Sequence, residues 1–533
     1  MTHFRRLFFA LSIAVTFAPP LFAAPDKAPA EAQVRAAIEK LKKMTQQEME
    51  KTGVPGVAIA VVYKDALIYA EGFGVRQIGE PEKVDPDTVF QLASVSKPIG
   101  ATVVAGIIGN AKNAAYKNSR IAENGWDTRI RNLDPAFEMH APWVSEAVTL
   151  RDFYSHRTGL PDHAGDHLED IGFTREEILQ RLYLFPPSSS FRSGYAYTNF
   201  GLTEAAVAAA ASTGKSWEEI SDEVLYKPLG MASTSSRYED FISRKNRASG
   251  HARIDGKWVA KFHRDPDAQS PAGGVSSSVN DLANWMLLQI HNGKFKDKQV
   301  IADEPLTETH RPVILTGFNP INGVPGFYGL GWGVNYDDHG RLRLSHSGAF
   351  ELGAATCVTI YPEQQLGIIV LSNASPVGLP ETLCANFADL ALDGKLAADW
   401  SEIFGKIFAA MSEAEDEGIS DFSKPPASPI PSEKNSAYIG TYSNPIYGDI
   451  EIRENEEKLE LLLGPKKAVC PLTHWDRDTF YLESGNESFI GKSGAFFLLD
   501  AENKAHSVLL EVLNQDGLGT FTRKAAPTTA PAQ

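Results

Sequence analysis

Val34, Ile38, Leu41 and Met44 recur at helical spacing and predict an amphipathic helix near the start of the chain. Gly53-Val54-Pro55-Gly56 ends it, and Val57 to Tyr63 and Ala66 to Gly72 read as two strands joined by a tight turn at Lys64-Asp65. Pro98 to Gly109 is apolar nearly all round, the pattern of a buried helix. Residues 111–148 are polar and irregular. Leu202 to Ala211 reads as an alanine-rich helix, and Asn280-Asp281 opens another with Leu282, Trp285, Met286 and Ile290 on one face. Tyr328 to Tyr336, Leu342 to Leu344, Ala355 to Tyr361 and Leu366 to Leu371 are strand-like, the last two separated by a turn at Pro362-Glu363. Helices interrupt strands that return late in the chain, which predicts an α+β layered domain.

The character changes over residues 411–435. Glu413, Glu415, Asp416 and Glu417 precede Pro425, Pro426, Pro429 and Pro431, a linker composition. Beyond it, Asp449 to Arg453, Lys458 to Leu463, Thr479 to Glu483, Ala495 to Asp500 and Ser507 to Leu513 read as short strands of a small all-β domain. Residues 525–533 form a Pro/Ala/Thr tail expected to be disordered.

The first residues add an address. Arg5 and Arg6 precede an apolar stretch from Leu7 to Phe22, broken by Pro19-Pro20 and followed by Ala23-Ala24. This reads as a signal peptide over residues 1–23 and predicts a periplasmic or secreted protein with no stable membrane insertion after cleavage. The arginine pair also hints at twin-arginine export. A length of 533 residues suggests two or three domains. The net charge of −16 argues against nucleic acid or anionic membrane as partners. Cys357, Cys384 and Cys470 lack metal-ligand spacing, and three cysteines do not make a disulfide-dependent fold.

The candidate chemistry lies in three short motifs: Ser94-Val95-Ser96-Lys97, Tyr197-Thr198-Asn199 and His346-Ser347-Gly348. Serine and lysine three apart on a helix share a face, so the amine reaches the hydroxyl. A largely desolvated Lys97 would lose its proton easily and act as a neutral base. Tyr197 falls on a loop before a helix, and Asn199 is suited to hold a substrate amide. His346 follows a strand-like run whose edge can pair with an extended substrate, with Ala349 N–H and Ser94 N–H as an oxyanion hole. Each motif has a decoy: Ser212-Thr213-Gly214-Lys215, Tyr442-Ser443-Asn444 and His163-Ala164-Gly165. Context favours the first set, because Ser212 follows a helix, Tyr442 sits in the all-β region and no strand precedes His163. Asp162, His163, Asp166 and His167 are read as a polar loop rather than a metal site. No Gly-x-Ser-x-Gly elbow, phosphate loop or dinucleotide fingerprint occurs, and no cofactor is expected.

With these motifs stand Phe90-Gln91-Leu92-Ala93, the segment from Leu150 to Pro161, the run from Ser270 to Ser277 and Tyr328-Gly329-Leu330-Gly331-Trp332. As a set they resemble the serine β-lactamase-like superfamily, which includes class C β-lactamases, low-molecular-weight penicillin-binding proteins, D-aminopeptidases and related esterases. The resemblance spans about residues 32–400. It implies an antiparallel sheet flanked by helices with an all-helical region. Residues 436–524 resemble the small lipocalin-like barrel found behind this fold. The resemblance makes Ser94 the acylated nucleophile, Lys97 its base and Tyr197 the group that protonates the leaving group or activates water. Asn199, Ser347 and Gly348 would contact the substrate, and His346 would stand where a lysine often attracts a substrate carboxylate. A neutral histidine weakens that anchor. The expected function is an exported serine hydrolase forming an acyl-enzyme on a peptide, amide or ester, with a small molecule or peptide as partner. The alternatives are a β-lactamase or penicillin-binding D,D-carboxypeptidase, and a non-catalytic penicillin-sensor-like binder. Oligomeric state stays open.

Overall fold

The computed structural model describes residues 28–112, 120–319, 323–416, 419–514 and 516–525. The expected signal peptide, and the expected tail beyond Ala525, lie outside the described residues. An eight-stranded antiparallel sheet organises the larger domain. Its strands are β1 (Gly56–Tyr63), β2 (Ala66–Gly74), β3 (Ile314–Phe318), β4 (Pro325–Tyr328), β5 (Gly333–Tyr336), β6 (Leu342–Phe350), β7 (Ala354–Tyr361) and β8 (Leu366–Ser372). Their spatial order is β2-β1-β8-β7-β6-β5-β4-β3.

Every residue of β1, β7 and β8 is buried. A strand covered on both faces reads as an unbroken apolar run rather than an alternation. On one face, Val57, Ile59 and Val61 of β1 pack with Val34, Ile38 and Leu41 of helix α1 (Glu31–Thr52). On the other, Ala58, Ala60 and Val62 enter the main core, which also holds helix α2 (Ser96–Lys112). Helix α1 ends where Gly53 takes a left-handed φ of 71° and returns its N–H to the Met49 carbonyl, a conformation that glycine adopts without strain. An all-helical region beside α2 carries α3 (Leu150–Tyr154), α4 (Asp166–Asp170) and α5 (Asn199–Ala211). Helix α6 (Val279–Ile290) packs on the α2 face, and α7 (Leu379–Leu392) on the α1 face. Trp285 of α6 stacks flat on Trp332 with ring centroids 5.5 Å apart.

The run from Tyr328 to Tyr336, expected as one strand, is two. Gly331 at φ 77° and a Gly329 N–H to Trp332 C=O bond of 2.8 Å turn the chain between β4 and β5. Leu330 and Trp332 are buried, so an apolar turn passes for a strand in sequence. Helix α8 (Trp400–Asp416) enters the stretch read as linker.

The second domain is a closed eight-stranded barrel. Its strands are β9 (Gly440–Asn444), β10 (Gly448–Asn455), β11 (Lys458–Leu463), β12 (Ala468–Asp476), β13 (Thr479–Asn486), β14 (Phe489–Leu499), β15 (Ala505–Leu510) and β16 (Thr520–Arg523). Consecutive strands pair in turn, and β9 closes on β16 through Tyr442 opposite Arg523. Tyr438, Tyr442, Phe480 and Phe497 pack edge and face inside it. Sequence patterning finds five of these strands and misses β9, β12 and β16. Pro471 disguises β12, and it is tolerated because β12 pairs with β13 only from Thr473 onward.

The barrel grips the larger domain at the β13–β14 turn. Glu487 accepts from the Glu351 N–H at 2.6 Å and the Leu352 N–H at 3.4 Å, just past the end of β6. Ser488 donates its N–H to Asp170 at 3.0 Å. Between the domains, Arg264 pairs with Glu169, lies 3.9 Å from Asp170 and 3.8 Å from Glu487, and is nearly buried.

Candidate active site

Ser94 lies in a single 3₁₀ turn, Ala93–Val95, that leads into α2. The turn is held from both sides. Leu92 donates its N–H to Val275 C=O at 2.9 Å, its own C=O accepts from Thr356 Oγ1 at 2.7 Å, and Ser96 Oγ accepts from the Val275 N–H at 3.0 Å. Ala93 carries a φ of 47°, a strained conformation for alanine immediately before the serine.

The helical spacing brings Lys97 Nζ to 3.0 Å from Ser94 Oγ. The amine is fully buried. It donates to Asn199 Oδ1 at 2.6 Å and to the Ala272 carbonyl at 3.1 Å. Burial pushes its pKa down to about 7, with the charge of Asp166 pulling the other way. Tyr197 donates its hydroxyl to Ser94 Oγ at 2.7 Å. Burial raises that phenol well above 10 against the lowering effect of the Ser94 bond, so it carries its proton at neutral pH. Lys97 Nζ sits 4.4 Å from the Tyr197 ring centroid.

The loop that carries Tyr197 is anchored by Asp152. Its buried carboxylate closes a capping box with Thr149 at the start of α3 and accepts from Arg157 Nε at 2.8 Å and from Arg192 at 2.8 and 2.7 Å. His156 then packs against Tyr197, its ring tilted 39° with centroids 4.6 Å apart, and accepts the Thr198 N–H at Nδ1. Burial, and secondarily the charge of Lys97, keeps this imidazole neutral.

The third motif forms the opposite wall. β5 ends opposite Ser345, so from His346 to Phe350 the outer edge of β6 has no paired strand among the described residues. A Cβ on Gly348 would stand 2.3 Å from the Leu92 carbonyl oxygen and 2.9 Å from the Ser94 nitrogen, so only glycine lets the strand come this close. His346 sits further out than the motif suggests. Its Nδ1 bonds the Ser347 carbonyl at 2.6 Å, which fixes the proton there, and its Nε2 accepts from the Tyr328 hydroxyl at 2.8 Å. Burial lowers its pKa to about 3, and Lys97 adds to that. The structure therefore places His346 in an aromatic wall with Tyr328, Tyr195 and His156, not in contact with Ser94. Ser347 alternates to the other face of the sheet, opposite Cys357, where its side chain meets Glu381 of α7. Ala349 is exposed on the strand edge.

The decoys fall elsewhere, with one exception. His163 and Asp162 line the Tyr197 loop: Tyr197 N–H donates to Asp162 at 2.6 Å, and His163 N–H to the Tyr197 carbonyl at 2.7 Å. Asp166 accepts from Asn199 Nδ2 at 2.7 Å. No cluster of three metal-binding side chains occurs among the described residues. Asp166, His156 and Tyr328 were not singled out as functional from sequence, although the blocks holding His156 and Tyr328 were.

A comparison with known families matches residues 41–392 to the family described as Beta-lactamase. The chain belongs to the beta-lactamase family. Residues 424–521 match a domain of unknown function, DUF3471, which covers the barrel. Among curated relatives, the unguisins hydrolase ungD' of Aspergillus campestris (strain IBT 28561) is 25% identical over 454 residues, 80% of each chain. Protein flp of Staphylococcus aureus (strain MW2) is 22% identical over 64% of each. A solved octameric penicillin-binding protein homologue from Pyrococcus abyssi shares the fold, with a TM-score of 0.57 and 18% identity over 89% of this chain and 98% of that one. This beta-lactamase-family chain is a hydrolase by family and by its named relatives.

Proposed function

We propose that this beta-lactamase-family hydrolase works through an acyl-enzyme on Ser94 and acts on a peptide, amide or ester. The observation that carries the reading is the pair of contacts on Ser94 Oγ, from Lys97 Nζ at 3.0 Å and Tyr197 Oη at 2.7 Å. Neutral Lys97 keeps two N–H bonds. Two carbonyl oxygens, of Asn199 and Ala272, can only accept and take both, which leaves the lone pair aimed at the Ser94 hydroxyl. Ser94 Oγ attacks the substrate carbonyl and its proton passes to Lys97. The Ser94 and Ala349 N–H groups are assigned to the oxyanion. As the scissile C–N or C–O bond breaks, Tyr197 protonates the leaving group and recovers a proton from Lys97. Water then attacks the acyl carbon, gives its proton to the Lys97–Tyr197 pair, and Ser94 leaves as the hydroxyl. A phenol held above 10 beside an amine held near 7 gives distinct acid and base roles.

A neutral His346 offers no fixed positive charge for a substrate carboxylate. This favours a peptidase or esterase over a D,D-carboxypeptidase or an efficient β-lactamase. The reading includes export before cleavage of residues 1–23, tested by fractionation of cells making the full chain. The chemistry is tested with a fluorophosphonate probe and a fluorescent penicillin, each against Ser94→Ala. Fluorophosphonate labelling of the wild type, absent from the variant, is expected. Rapid penicillin turnover would restore the β-lactamase reading, and silence toward both reagents would favour a binder.

A further inference from the structure

We propose that Asp166 is a positioning residue for the nucleophile's base: its carboxylate fixes the Asn199 amide in the orientation that turns the amide oxygen toward Lys97. This rests on the acyl-enzyme reading above. The geometry is a relay of three side chains from α4, α5 and α2. Asn199 Nδ2 donates to Asp166 Oδ2 at 2.7 Å, and Asn199 Oδ1 accepts from Lys97 Nζ at 2.6 Å. A carboxylate can only accept, so the amide nitrogen must face Asp166 and the amide oxygen must face the amine. Were the amide turned over, its N–H would point at Lys97 and capture the lone pair that should receive the Ser94 proton.

Two observations separate this from an ordinary structural hydrogen bond. The second carboxylate oxygen, Asp166 Oδ1, is buried and has no hydrogen-bond partner among the described residues. A carboxylate half-satisfied inside a fold is costly; Glu169 and Glu381 also bury an oxygen with no partner among the described residues, but of the three Asp166 alone bonds the amide that holds Lys97. Asp166 also stands where its charge acts on Lys97. The charged and titratable groups around the pair are His163 and Asp162 beside the Tyr197 loop, Asp170 on α4, His156, Tyr197 and, on β6, His346. Asp166 is the charge that holds the proton on Lys97 against burial.

The two effects are separable by substitution. Asp166→Asn removes the charge but keeps an oxygen for the amide, whereas Asp166→Ala removes both. The readout is the rate of Ser94 labelling by a fluorophosphonate probe from pH 5 to 9, on the full chain, beside thermal melts. In the wild type the rate should rise through the Lys97 titration to a plateau. Asp166→Asn should move that ascending limb to lower pH by about one unit, with a plateau near wild type. Asp166→Ala should move the limb the same way and lower the plateau about tenfold. A folded asparagine variant with the wild-type limb, or a folded alanine variant with the wild-type plateau, overturns the proposal, and if the alanine variant does not fold, the plateau of Asp166→Leu, which also removes the acceptor, is read in its place. Failure of both to fold would make Asp166 structural and also overturn it. A wild type unlabelled at Ser94 would instead overturn the acyl-enzyme reading itself.

Discussion

The turn from Ser94 to Lys97 and the turn from Ser212 to Lys215 share a residue spacing and differ in their surroundings. At the first, the amine is sealed under α5 and the Ser270–Ser277 segment and touches the serine. At the second, the serine ends α5 and returns its hydroxyl to the Ala209 carbonyl at 2.7 Å, while Lys215 reaches over the surface to Glu223. The same contrast separates Tyr197 from Tyr442. Tyr197 aims its hydroxyl at Ser94 Oγ, but Tyr442 donates to the Tyr438 carbonyl at 2.6 Å and accepts from Arg523 at 2.7 Å inside the barrel. A motif becomes reactive only where the fold strips water from it and leaves a proton acceptor unsatisfied. Elsewhere the same residues cap a helix or close a barrel.

Substitutions in matched pairs sharpen or break this contrast. The largest effect belongs to Ser94→Ala, which should cost about 10³-fold or more in ester hydrolysis, while Ser212→Ala leaves turnover unchanged. Equal losses at both would erase the distinction. Lys97→Met and Tyr197→Phe should each cost about 10²–10⁴-fold in kcat/KM, measured beside melting curves that stay near wild type. Their counterpart in the barrel should behave oppositely. Tyr442→Phe strands the Arg523 donor and lowers stability by about 1–3 kcal/mol in urea titration, with kcat/KM intact. Next comes acidity. With the Lys97 pKa at about 7, the base is protonated below neutrality, so kcat/KM should fall about tenfold per pH unit on the acid side and level off above it. His346, near 3, should add no titration across pH 5 to 9. Smallest of all, Lys215→Met breaks a partly exposed ion pair and should shift stability by no more than about 1 kcal/mol, with the midpoint of unfolding as the check.

The fold was legible wherever burial writes a period. Val34, Ile38 and Leu41 mark one face of α1, and the unbroken apolar runs of β1, β7 and β8 mark strands covered twice. Legibility failed where a turn is apolar, as at Leu330 to Trp332, or where strand residues are polar or include proline, as in β12. In the site, Ser94, Lys97, Tyr197 and Asn199 could be picked out because their separations follow local geometry or a recognisable block. His346 could be picked out too, but not its engagement with Tyr328, eighteen residues away. Asp166 was visible only as part of a polar loop, because nothing in its spacing announces an amide thirty-three positions later. Nor does Asp152 announce Arg192, whose guanidinium crosses forty positions to reach it. Such pairings are set by tertiary packing, which a linear pattern does not record.

The carboxylate of Glu487 gives the C-terminal barrel a share in the sheet domain's own backbone. It completes the hydrogen bonding of Glu351 and Leu352, the first residues past the free edge of β6, from a hairpin well over a hundred positions downstream. A truncated chain stopping before the barrel would leave those amides without Glu487 and expose Arg264 to solvent with two of its three counterions. The two domains are accordingly joined through backbone as well as side chains, and trimming the chain to the family-matched segment should fray the free edge of β6.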